Sequence, residues 1–467
     1  MMRTENGQIE AKSAFLLLAL VILTGLGGLF IAKTSFYISL LVMTVFVLIV
    51  VGFLSAEVAL YLLIVSMLLS PEFIVGELLG RGTGARGVTL RFDDVLLLVV
   101  GLGWFAKSAT KKELGLFLET PLNRPIAYYI IACLISTLIG FAMGRLNLKT
   151  GLFFVLKYFE YFIVYFMAVN HLKDKEQIKR FVIFMLAVCM VICVIAILQI
   201  PAGGRVTAPF EGEVGEPNTL GGYLVLMLSI TLGLLVTSDS MKRKTFLGIL
   251  VILIAISLLA TLSRSSWLSI GPMLLTLIYF SKRKLALVVP LVIIALIFSF
   301  IMPHAVKERA LFTVTQRIHP RQQVEIGGIR LDTSTSARVN AWKRILTTDF
   351  VKHPLFGYGV TGYAFVDAQY PRVLIETGIL GFTAFFILLL YIFKNALSIY
   401  RDTSDPLFRG LSLGYLAGFV AMLVHGIGTN VFIIVRIMEP FWFLTAIIIM
   451  IPTIEAGEVK VDVPVKG

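Results

Sequence analysis

The sequence predicts an all-α polytopic membrane protein with about 12–14 transmembrane helices and one large extracytoplasmic loop containing short helices. Three observations carry that prediction. The chain is 58% hydrophobic and only 15% charged, with a mean hydropathy of +0.92. Its apolar runs recur at the ~20-residue length that crosses a bilayer. Lysine and arginine gather in alternate short turns between those runs.

Fourteen stretches qualify as spans, at roughly 14–33, 36–54, 56–70, 92–107, 124–143, 150–170, 181–200, 218–238, 245–262, 265–281, 285–302, 372–397, 408–426 and 430–452. The third and tenth are short. The first is too long, and lacks a small-residue cleavage site, to be a removable signal peptide. The chain therefore divides into helices 1 to 11 in 1–302, the large outer loop in 303–371, helices 12 to 14 in 372–452 and a cytoplasmic tail in 453–467.

Loop charge orients the set. The clusters Lys107/Lys111/Lys112, Lys173/Lys175/Lys179/Arg180, Lys242/Arg243/Lys244, Lys282/Arg283/Lys284 and Lys394/Arg401/Arg409 mark the cytoplasmic side, with both termini. The turns around Arg205 and Ser263-Arg264 and the 303–371 loop then face outward; long loops translocate largely regardless of charge. Topology accounts for most of the net charge of +13, so no nucleic-acid partner is inferred.

Cys133, Cys189 and Cys193 all fall inside spans and read as small packing residues. No phosphate loop, HExxH or paired-cysteine zinc pattern occurs, so no metal site and no cofactor are expected.

Candidate site residues lie on the outward segments. Gly80 to Arg91 brings Arg81, Arg86 and Arg91 to a glycine-rich turn, which reads as a flexible basic loop or an anion contact. Asp93 and Asp94 follow at a helix mouth, where capping and pairing with Arg91 are the plainer roles. Lys157 and Glu160 can pair on one helix face; no chain of Asp, Glu and His continues from them, so a proton relay is not expected. Arg205 lies between a diglycine and a Thr-Ala-Pro turn, and Pro217-Asn218 opens the next helix. Arg264 sits among Ser263, Ser265 and Ser266 at a short hairpin. There it can form a compact anion site, or merely snorkel to headgroups.

The stretch from Ser336 to Gly381 carries most of the candidate chemistry. Ser336 to Val351 reads as an amphipathic helix with Val339, Trp342, Ile345 and Leu346 on one face. His353-Pro354 stops it, Gly357, Gly359 and Gly362 permit a tight turn, and Pro371 suits the first turn of a new helix. His353 reads as shaping that turn. Glu376 can pair with Arg372 four residues earlier. His425, Arg436 and Glu439 could line the same cavity, with helix pairing the plainer reading.

These residues resemble a family. RVTAPF with GEPNTLGGYL, TLSRSSWLS, SARVNAW, and HPLFGYG followed by DAQYPRVLIETGILGF look like the bacterial O-antigen polymerase and ligase superfamily of integral membrane glycosyltransferases. LRFDDVLLL and LKYFEYFIVYF look similar to its amino-terminal half. The resemblance implies transfer of a glycan from a polyprenyl-diphosphate carrier to an acceptor glycan hydroxyl at the outer face of the bacterial plasma membrane. It implies diphosphate binding by Arg205, Arg264 and Arg338. The ligase branch carries a His-Asn pair where Asp367-Ala368 stand here, before Glu376, so the resemblance favours the polymerase-like branch.

On that basis Asp367 is the leading candidate for the base that activates the acceptor hydroxyl, with Glu376 in reserve. Asn218, Gln369, Tyr370 and Arg372 are candidate substrate contacts. The implied partners are the polyprenyl-diphosphate-linked oligosaccharide, the acceptor glycan, the lipid bilayer and other polysaccharide-assembly proteins. A ligase acting on a lipid or protein acceptor shares this mechanism. A transporter or flippase of lipid-linked sugars is the alternative from another class. It fits less well, because the polar residues gather on one face and no internal repeat is visible.

Overall fold

The computed structural model describes residues 55–74, 89–91, 118–211, 215–285, 303–316, 323–326 and 328–461, with scattered residues in 93–101 and 287–296. The chain divides into two units, residues 1–59 and 60–467; only 55–59 of the first are among the described residues. The expected spans 14–33 and 36–54 lie outside the described residues, as do Arg81 and Arg86, and spans 92–107 and 285–302 are described only in pieces.

The described chain begins with α1 (Ala56–Leu69), followed by an antiparallel pair of β1 (Glu72–Ile74) and β2 (Thr89–Arg91). Next come α2 (Asn123–Ala142), α3 (Leu148–His171), α4 (Lys175–Gln199), α5 (Pro217–Thr237), α6 (Met241–Ala260) and α7 (Arg264–Phe280). The segment expected as the large loop contains α8 (His304–Thr315), a short β3–β4 hairpin (Glu325–Ile326, Ile329–Arg330) and α9 (Thr333–Arg344). The bundle closes with α10 (Gln369–Asp402), α11 (Pro406–Gly428) and α12 (Val435–Val461). Eight of the described helices, α2 to α6 and α10 to α12, are long and apolar enough to cross a membrane, as an all-α polytopic membrane protein requires. Boundaries differ from expectation at the last span. Residues 430–434 form a turn held by side chains, and the helix runs on to Val461.

Local chemistry sets the helix starts. Asn147 accepts from the Lys149 amide at 2.9 Å, Asp174 from Gln177 at 2.8 Å and Asp405 from Leu407 at 2.9 Å, capping α3, α4 and α11. Pro217 and Pro406 occupy first-turn positions where a missing N–H costs nothing. The bundle is tightest between α5 and α11. Gly410, Gly414 and Gly418 recur every fourth residue, and a Cβ on Gly414 would lie 2.6 Å from the Ser229 carbonyl oxygen. Such small-residue stripes let backbones approach closely where lipid supplies no hydrophobic drive.

The turns expected on opposite membrane faces do segregate. At one end Lys175 pairs with Asp405, and Arg283 pairs with Asp239 at 2.9 Å. At the other end the 205–218 turn, the α6–α7 junction, α8, α9 and the 429–432 turn meet one another.

Two features shape that second end. The expected amphipathic helix exists, but a π-turn over Ile345–Asp349 interrupts it. The added residue rotates the face, so Ile345 is buried whereas Leu346 is exposed, contrary to the simple helical pattern. Ile345 packs with Val366, Ala368 and Ile375, flanked by Trp342 and Tyr358.

The span expected at 372–397 starts at Gln369 and is broken at Gly378, whose φ of 65° and ψ of −170° are non-helical. The 354–359 turn fills the break. The Ile379 amide donates to the Pro354 carbonyl at 2.8 Å, and the Tyr358 and Gly359 amides donate to the carbonyls of Ile375 at 2.9 Å and Glu376 at 2.8 Å. Gly357 and Gly378 both adopt positive φ, and a Cβ on either would collide with the other's backbone nitrogen at 2.6 Å.

Candidate active site

Four arginines converge at this end from four elements. Arg205 follows α4, Arg264 opens α7, Arg309 lies on α8 and Arg338 on α9. Leu262, with φ of 50°, makes the tight turn between α6 and α7; its carbonyl accepts from Arg309 Nε at 3.3 Å. Arg205 Nε donates to the Thr261 carbonyl at 3.1 Å. The α6–α7 junction thus orients two guanidinium groups besides the one it carries.

Electrostatics within the set is repulsive. Burial, then the nearby Arg309, Arg264 and Arg338, pull Arg205 down to about 10 against the opposing effect of Glu216. Burial and the charges of Arg264 and Arg338 also lower Arg309, with Asp332 opposing. Two carboxylates share the cluster. Asp332, which caps α9, takes the fork of Arg264 at 2.8 and 3.0 Å, and Asp367 meets Arg338 Nη2 at 2.7 Å. Burial alone would raise Asp332, but hydrogen bonds from Arg264 and Thr335 hold it at about 2. Among the described residues Arg205 and Arg309 form no ion pair. Among the described residues four cations face two ion-paired carboxylates, Asp332 and Asp367, with Glu216 acting on Arg205 besides, so positive charge is in excess in a partly buried site that suits an anion.

A polar chain runs inward from Arg205. Its Nη2 donates to Asn218 Oδ1 at 3.4 Å, the same oxygen accepts from Ser263 Oγ at 2.7 Å, and Ser266 Oγ donates to Ser263 Oγ at 2.8 Å. Ser266 Oγ also lies 3.2 Å from Nε2 of His425, which is fully buried on α11.

The structure separates the residues singled out in the sequence. Arg205, Arg264, Arg338, Asn218 and Asp367 meet at the arginine cluster. Asp367, its side chain 39% exposed, has one oxygen on Arg338 and the other accepting from Thr429 Oγ1 at 3.3 Å. Glu376 lies elsewhere, buried against Arg372 at 3.2 Å and accepting from the Thr361 amide at 3.3 Å. Arg372 also faces the Phe365 ring at 5.3 Å. Gln369 Oε1 accepts from the Val431 and Phe432 amides at 3.0 and 2.9 Å, and the Tyr370 hydroxyl donates to the Leu423 carbonyl, so both tie α10 to α11 and the following turn. His353 shapes its turn: its ring packs edge-on against Tyr358 and its carbonyl accepts from the Gly357 amide at 3.0 Å.

Two participants were not legible beforehand as site residues, Arg309 and Asp332; Ser266 and His425 were candidates, but not their contact with each other. The Asp-Thr-Ser-Thr run at 332–335 is a readable helix cap, but nothing in its spacing points to Arg264, 68 residues away. Among the described residues no group of three or more His, Cys, Asp or Glu is placed to hold a metal ion.

Fold and site together define a polytopic helical membrane protein whose bundle collects excess positive charge at one end. Residues 248–386 match the family model described as O-Antigen ligase, which supports the resemblance to the O-antigen ligase and polymerase superfamily. The matched segment holds Arg264, Arg309, Arg338, Asp332 and Asp367, whereas Arg205, Asn218 and His425 come to the site from outside it. No curated protein matches the chain.

Proposed function

We propose that the protein is a glycosyltransferase that transfers or polymerises glycan from a polyprenyl-diphosphate carrier onto an acceptor sugar hydroxyl, at the outer face of the bacterial plasma membrane. The observation that carries this reading is the arginine cluster with its excess of positive charge. The bond between the anomeric carbon and the phosphate oxygen breaks, and negative charge grows on the departing diphosphate. Arg205 and Arg309, unpaired in the described structure, stabilise that charge in a poorly hydrated site, with Arg264 and Arg338 behind them. The acceptor oxygen forms the new bond and its proton passes to Asp367, which Arg338 and Thr429 hold in place. One displacement inverts the anomeric carbon. Glu376, Gln369, Tyr370 and Arg372 support this site by packing α10. The clustering of Lys175, Arg283 and their neighbours at the opposite end supports a cytoplasmic assignment for that end.

Ligase-type transfer to a lipid or protein acceptor would use the same residues, and the description of the matched family favours it. Asp367-Ala368, in place of the His-Asn pair of the ligase branch, favours polymerisation.

Purified protein incubated with a polyprenyl-diphosphate oligosaccharide tests the reading. Longer lipid-linked chains report polymerisation, glycan on an added acceptor reports ligation, and the absence of any new glycosidic bond rejects both. Asp367→Asn keeps the shape but not the basicity, so turnover should fall ~10²-fold or more while carrier binding holds. Near-normal turnover would remove Asp367 from the chemistry.

A further inference from the structure

A second polar cluster lies inside the bundle. Arg91 ends β2, Asp93 and Asp94 follow it, Lys157 and Glu160 project from α3, and Glu439 comes from α12. Arg91 Nη2 lies 2.5 Å from Asp93 and 3.7 Å from Glu439, and Arg91 Nε is 3.9 Å from Asp94. Lys157 contacts Asp94 and lies 3.2 Å from Glu160. Just after α1 the Ser70 hydroxyl accepts from the Asp93 amide at 3.1 Å. One turn before Glu439, Arg436 donates to the carbonyls of Leu68, Ser70 and Pro209 and lies 4.0 Å from Glu211.

Charge alone makes this cluster unstable. Four carboxylates (Asp93, Asp94, Glu160, Glu439) face two cations (Arg91, Lys157), a deficit of two charges, and Asp93 and Glu439 are 0% exposed. A buried carboxylate without compensation takes up a proton rather than remain charged.

Hydrogen bonding points the same way independently. Although Arg91 lies against Asp93 and Glu439, no aligned hydrogen bond reaches either oxygen of these two carboxyl groups, and one oxygen each of Asp94 and Glu160 also lacks one. Yet Asp93 and Glu439 meet at the same nitrogen, Arg91 Nη2, and Asp94 and Glu160 meet at Lys157 Nζ, so each pair of carboxyl groups adjoins. Ionised carboxylates only accept, so such a pair is satisfied when one member is protonated and donates.

We propose that this cluster is a proton-binding site holding two protons at neutral pH, one shared by Asp93 and Glu439 and one by Asp94 and Glu160. The protons neutralise the cluster and join β2 and the turn after it to α3 and α12. The site is separate from the arginine cluster and does not depend on the transfer reaction.

Infrared spectroscopy of the purified full chain tests it. At neutral pH the protein should show the carbonyl stretch of protonated carboxyl groups, reduced in Glu439→Gln and in Glu160→Gln. Glutamine mimics the protonated acid and still donates, so each variant should keep the wild-type thermal midpoint, whereas Glu439→Ala lowers it. Wild type should lose stability as pH rises from neutral to alkaline, because the bound protons leave, and the double glutamine variant should lose less. No protonated-carboxyl signal from these residues, or glutamine variants as destabilised as Glu439→Ala, would overturn the proposal.

Discussion

At the scale of single residues, the arginines are not equivalent. Arg264 and Arg338 are engaged by Asp332 and Asp367, whereas Arg205 and Arg309 make no direct ion pair among the described residues. Arg309→Ala should therefore weaken binding of the polyprenyl-diphosphate substrate about 10- to 100-fold, the worth of one charge-assisted hydrogen-bonded contact, with the fold intact. Equal binding by the variant would show that Arg309 serves α8 alone. Arg264→Lys makes a different demand: a lysine cannot reproduce the fork on Asp332, so loss of activity should come with loosening of α9. Asp332 gives that node a pH signature. Its carboxyl is held at about 2 in the fold, below its ordinary value of 3.8, so its contribution is full above the ordinary value and disappears as pH falls toward the folded one. Limited proteolysis within 323–344 should accelerate over that acid window, and less so in Asp332→Asn, which has already lost the titrating group. Arg205 and Arg264 were legible because each stands in a short polar turn between apolar runs, and Arg338 through the family resemblance of SARVNAW. Arg309 was not, since Lys307, Glu308 and Arg309 read as an ordinary solvated helix face until the fold places α8 over Leu262.

Among elements, the most demanding contact is that of α5 with α11. Gly414→Leu should lower stability in detergent by ~3 kcal/mol, since the added side chain meets the Ser229 carbonyl and the Ile230 backbone rather than a mobile neighbour. Gly248→Leu on α6, where nothing lies within 4 Å of a Cβ, is the control and should leave the thermal midpoint unchanged. Helices announced themselves through apolar length. Their interruptions did not. The π-turn at 345–349 and the break at Gly378 each depend on partners distant in sequence or on a one-residue phase shift, which periodicity averages away. The carboxylate cluster was equally hidden: Asp93, Glu160 and Glu439 are separated by long stretches and become neighbours only when β2, α3 and α12 pack.

For the molecule as a whole, the segregation of turns into two ends makes a prediction about sidedness. A cysteine at Arg330 should react with an impermeant thiol reagent on intact cells lacking an outer-membrane barrier, and one at Arg243 should not; the opposite pattern would put the arginine cluster in the cytoplasm. Architecture was readable from composition because membrane crossing constrains every span alike, whereas the pairing of ends is decided by packing. The clasp between the 354–359 turn and the Gly378 break bears on how the chain is made. Backbone groups released at that break cannot be left to lipid, and the carbonyls and amides that receive them belong to a turn synthesised about twenty residues earlier. During biogenesis the partner therefore emerges from the ribosome before the segment that needs it, so insertion of this last group of helices is ordered by translation itself, and a chain lacking residues 354–359 would leave the following helix with an unfilled notch in the bilayer.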